Sequence, residues 1–187
     1  MRDARPGSRC DGRVYGVGGS AGGCHVLYLM ARGATGEDLF DMGVSLSPTT
    51  KGDDVAWLQA PWISGDACAE PVLENYLGIP LGSAFSHLPE LAAASPTTYV
   101  TSSLPPCFFL YSDHDSSHLE TFERTDLINA LESVGITEST AATPQAGKYK
   151  QILVPVASGT KHAFEYWGLP VDGIAGHPTV RDTVITW

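Results

Sequence analysis

Short apolar runs alternate along this chain with stretches of helical period, a pattern that predicts a parallel sheet with helices on both faces. Residues 13–17 read as a strand running into the glycine pair Gly18-Gly19. A helix is expected over residues 21–32, with Gly33 as its stop signal. Residues 43–47 form a second strand, closed by Pro48. Pro105-Pro106 then leads into residues 107–111, an unbroken apolar run of the kind buried in a parallel sheet. Leu119, Phe122, Leu127, Leu131 and Val134 fall near helical spacing and predict a helix over 118–134, ended by Gly135. Residues 136–148, rich in Thr, Ala and Gly, read as a loop. Residues 151–156 are the fourth strand, with Pro155 suggesting an edge position, and a short helix starts near Val180.

Residues 49–95 break this rhythm. Trp57, Pro61, Trp62, Pro71, Tyr76 and Pro80 are scattered without a sustained period, so short helices joined by loops are expected there. The fold class is therefore α/β, half of a doubly wound, mostly parallel sheet. A chain of 187 residues suits one domain, spanning 1–187, with 49–95 as a cap-like insertion.

Composition narrows the partners. With 21 acidic against 11 basic residues the net charge is -10, which argues against nucleic acid and anionic membrane surfaces. Arg2, Arg5, Arg9 and Arg13 cluster near the start, but among Gly, Pro and Ser they read as an irregular leader. Cys10, Cys24, Cys68 and Cys107 lack metal-ligand spacing, so no metal and no cofactor is expected.

The candidate chemistry starts at Gly18-Gly-Ser-Ala-Gly22, which fits G-x-S-x-G. A serine between an apolar strand and a helix needs small neighbours to make the turn, and the N–H of Ala21 then stands at a helix N-terminus. A bare glycine-rich or phosphate-cradling turn is the competing reading; the first basic residue afterwards is Arg32. A serine hydroxyl needs a base, and the base needs an orienting acid. Asp115 follows the third strand and His162 the fourth, both where side chains of an open α/β sheet converge. Asp113 competes for the acid role. His25, His87, His114, His118 and His177 are read as packing or surface residues.

Four stretches, GGSAGG at 18–23, ASPTTYV at 94–100, LPPCFFLYSDHD at 104–115 and GTKHAF at 159–164, together resemble the α/β-hydrolase superfamily. The resemblance is to carboxylesterases grouped with acetyl-xylan and feruloyl esterases and to hormone-sensitive-lipase-like enzymes. It implies Ser20 as nucleophile, Asp115 as acid, His162 as base and Ala21 as an oxyanion donor. Gly19, Trp57 and Trp62 become candidates for the substrate pocket, although ordinary core packing competes for both tryptophans. Ser112 replaces the glycine usual in the acid's stretch, and no His-Gly-Gly precedes Ser20. The resemblance thus covers the C-terminal half of such an enzyme. It implies hydrolysis of a small-molecule or carbohydrate-linked ester. It also implies an open sheet edge, to be covered by a second copy or a completing chain. An inactive fragment serving as an interaction module and a peptidase with the same triad order are the alternatives.

Overall fold

The structure, a computed structural model, describes residues 12–33, 40–58, 77–115 and 120–187. Trp62, Cys10, Cys68 and His118 lie outside them. Strand β3, Cys107–Ser112, forms the middle of the sheet and is buried along its whole length. Its alternating side chains divide the core into two layers. Cys107, Phe109 and Tyr111 pack on one face with Val26, Leu27, Met30, Leu127 and Leu131. Phe108 and Leu110 pack on the other with Val44, Leu46, Tyr166, Val184 and Trp187. Truncating either buried phenylalanine to alanine is expected to cost about 3–5 kcal/mol.

Around it, β1 (Tyr15–Gly19), β2 (Met42–Leu46), β3, β5 (Lys148–Val154) and β4 (Thr137–Glu138) lie side by side in that order, and every pairing is parallel. Parallel neighbours need crossovers, and helices lie in those that join β1, β2, β3 and β5 in turn. Helix α1 (Ala21–Arg32) links β1 to β2 and buries Val26, Leu27 and Met30. The short helices α2 (Val55–Leu58) and α3 (Leu88–Ala94) fall in the irregular stretch between β2 and β3. Helix α4 (Glu123–Ser133) ends before Gly135, which takes φ 84 as a terminating glycine does. Helix α5 (Val180–Thr186) opens on a reciprocal cap: Thr179 Oγ1 accepts from Asp182 N–H, and Asp182 accepts from Thr179 N–H, both at 3.2 Å.

Two expectations need correction. The segment 136–148 contains a fifth strand, β4, only two residues long and exposed, so no apolar signal announces it. The fourth expected strand is an edge only in part, because β4 pairs with it at Lys148 and Tyr149 alone. It is β5, lying between β3 and β4, and Pro155 stands one residue past its end, where the missing N–H interrupts no ladder bond.

Candidate active site

Ser20 sits between β1 and α1 at φ 56, ψ -126. A non-glycine residue in the left-handed region costs about 1–3 kcal/mol and persists only where its surroundings hold it. Here Ser20 N–H donates to Leu46 O at 2.8 Å, and Ser20 O accepts from Cys24 N–H at 3.0 Å. The glycines explain how helix and strand come so close. A Cβ on Gly18 would lie 2.2 Å from the carbonyl oxygen of Gly22, and one on Gly23 would lie 2.5 Å from Ser45 Oγ. Ala21 opens α1, so its N–H belongs to the first-turn donors that have no intrahelical acceptor.

Asp115 follows β3 and is fully buried as a side chain. His162 follows β5, and its Nδ1 lies 3.0 Å from both Asp115 oxygens. The two loops are tied together by backbone as well. Lys161 N–H donates to His114 O at 2.9 Å, and the Ser112 hydroxyl donates to Lys161 O at 2.5 Å. The serine that stands in place of a glycine therefore fastens the histidine loop to the end of β3. His162 N–H donates to Glu165 Oε2 at 2.8 Å, which fixes the backbone entering the short turn Ala163–Tyr166.

This loop also meets the end of β1. A Cβ on Gly19 would lie 2.7 Å from the Phe164 ring and 3.0 Å from Ala163 Cβ. Ser20 and His162 are thus brought to one end of the sheet on neighbouring backbones. The Ser20 hydroxyl makes no hydrogen bond among the described residues.

Among the described residues, only Ser20, Ser47 and Ala163 combine a side chain with a left-handed φ, at 56, 44 and 49 degrees. All three stand around this site. Ser47 was not among the expected site residues. It is fully buried just past β2, its N–H donates to Leu110 O at 2.8 Å, and its hydroxyl donates to Asp115 Oδ2 at 2.6 Å. The only advance sign was a small polar residue ahead of Pro48.

The competing residues are placed elsewhere. Asp113 Oδ1 accepts from Val156 N–H at 2.8 Å and pairs with His114, which secures the end of β5. His25 is exposed on α1, His87 faces Glu90, and His177 pairs with Asp172. Trp57 is buried in the core layer under α1, so packing accounts for it.

No family model and no curated protein matches this chain. Solved structures do. Esterase B from Lactobacillus Rhamnosis (HN001) matches with a TM-score of 0.50 at 16% identity, over 80% of this chain and 44% of that one. The fold is that of an α/β hydrolase. A truncated form of a carbohydrate esterase from gut microbiota matches with a TM-score of 0.45 at 18% identity, over 74% of this chain and 50% of that one. A puromycin hydrolase variant matches with a TM-score of 0.49 at 16% identity, over 75% of this chain and 18% of that one. The chain therefore spans half or less of the length of each of these three structures.

Proposed function

We propose that the chain carries the catalytic half of a serine esterase. The observation that supports this most is the buried Asp115 carboxylate 3.0 Å from His162 Nδ1, at the same end of the sheet as a serine held in a strained strand-to-helix turn. Strain of that kind concentrates where a side chain must project at a reacting centre, and the turn then serves as a nucleophile elbow.

In this reading Ser20 Oγ attacks the ester carbonyl carbon while His162 Nε2 takes its proton. The carbonyl π electrons move to oxygen, and the N–H of Ala21 at the positive end of α1 stabilises the oxyanion. Collapse expels the alcohol, which leaves with the proton from Nε2, and Ser20 holds the acyl group. Water then attacks, gives its proton to Nε2, and releases the acid as Ser20 regains its hydrogen. Asp115 stays ionised throughout, orients the ring through Nδ1 and stabilises the imidazolium. The segment 49–95 serves as the cap over a small-molecule or carbohydrate-linked ester, with Gly19 at the floor of the pocket. Short-chain aryl ester turnover by the wild type, lost in Ser20→Ala, supports the proposal. An undiminished rate in that variant refutes it.

A further inference from the structure

Ser47 occupies a position from which it touches both the acid Asp115 and the loop that follows His162. Its hydroxyl lies 2.6 Å from Asp115 Oδ2, 3.2 Å from Ala163 N and 3.1 Å from the Tyr166 hydroxyl. The direction of these bonds follows from the chemistry of the partners. Ala163 N–H can only donate and an ionised carboxylate can only accept, so the single Ser47 hydrogen goes to Asp115. Tyr166 in turn donates to Leu110 O at 2.9 Å, the same carbonyl that accepts Ser47 N–H at 2.8 Å. Ser47 is thus fastened at both backbone and side chain, and it spends its hydroxyl on the acid and on the loop that follows His162.

These contacts form a clamp. Asp115 Oδ1 and Oδ2 both lie 3.0 Å from His162 Nδ1. The Ser47 hydroxyl adds a donor on Oδ2. The N–H of Ala163, next in chain to the base, donates to the same Ser47 Oγ, so a shift of the acid and a shift of the base are coupled. The backbone supports the assignment, since Ser47 and Ala163 each hold a left-handed φ in making this bond. A serine with no task at the site would have no reason to be kept in that conformation where glycine adopts it without strain.

We propose that Ser47 is a positioning residue that locks the Asp115 carboxylate and the His162 loop into register, an inference that rests on the esterase reading for its kinetic consequence. Ser47→Gly relieves the backbone strain and deletes the hydroxyl; Ser47→Ala deletes the hydroxyl and keeps the strain. Misplacement by an ångström costs on the order of 10- to 100-fold in turnover.

The proposal predicts that Ser47→Gly lowers kcat on an aryl ester by that factor with KM within about twofold. Ser47→Ala is predicted to lose kcat to the same extent, which separates the hydroxyl from the strain. The second readout needs no turnover. The proton on His162 Nδ1, bonded to a buried carboxylate, is expected as a slowly exchanging downfield resonance in ¹⁵N-edited spectra, broadened or lost in folded Ser47→Gly. Wild-type kcat together with an unchanged resonance in Ser47→Gly overturns the proposal. A wild type without esterase activity refutes the esterase reading alone. The resonance then decides for Ser47, its loss in Ser47→Gly supporting the clamp and its persistence overturning it.

Discussion

Replacing Glu123 by glutamine changes how this protein's stability responds to pH, and the effect can be sized. Glu123 opens α4 and is fully buried. Its Oε2 accepts from Thr50 N–H at 2.5 Å, Thr50 Oγ1 at 2.8 Å and Lys51 N–H at 2.7 Å, while Oε1 has no hydrogen-bond partner. Burial disfavours the charge more than those donors support it, with nearby Asp126 adding to the cost, so the pKa is pushed up from 4.5 to about 7. Between those values the folded chain holds a proton that the unfolded chain has released. The stabilisation is therefore complete below pH 4.5 and is lost as pH rises through about 7. A rise of that size corresponds to about 3 kcal/mol. Glutamine can offer a carbonyl oxygen to the same three donors but cannot ionise. Urea unfolding followed by the fluorescence of the four tryptophans gives the free energy at each pH. The wild-type curve is expected to fall by about 3 kcal/mol more than that of Glu123→Gln between pH 4.5 and 8. Parallel curves would refute the reasoning, because they would mean that Glu123 ionises alike in both states.

Other outcomes follow from the same contacts. Asp115→Asn is expected to keep the fold and lower kcat by about 10⁴-fold, because the amide no longer stabilises the imidazolium; a loss under tenfold in steady-state kinetics would contradict the orienting role. Gly18→Ala drives a methyl into the Gly22 carbonyl and should cost about 3 kcal/mol or more in urea unfolding, whereas Gly22→Ala, with open space around it, should not. Burial pushes the Cys24 and Cys107 thiols up to about 12, so site-resolved mass spectrometry should find neither labelled by a disulfide reagent at pH 8 until urea is added. The described sheet stops at β1, where Tyr15 and Val17 are half exposed beside a groove of about 900 Å³ that also takes in Phe164 and Ile185.

What the sequence revealed depended on whether local chemistry or distant contact set the structure. The bounds of α1 were legible because a glycine-flanked serine precedes it and the apolar residues Val26, Leu27 and Met30 recur on one face. The central strand was legible because five consecutive apolar residues have no other use in a short segment. Strand β4 was illegible, since two exposed residues pair only because β5 offers them an edge. The choice of Asp115 over Asp113 rested on resemblance, and it is Val156 N–H, far along the chain, that occupies Asp113. Ser47 was missed for the same physical reason. Its partners, Asp115 and Ala163, lie 68 and 116 residues away, and no local period reports a bond of that span.

The measurement that bears most directly on the site is covalent labelling with a fluorophosphonate, read by peptide mass spectrometry. Only a serine whose proton can be taken by a correctly oriented base reacts quickly. The account predicts a single adduct on Ser20 in the wild type, abolished in His162→Ala although that variant stays folded. Labelling of Ser20 at the same rate in both proteins, or none in the wild type, would contradict it.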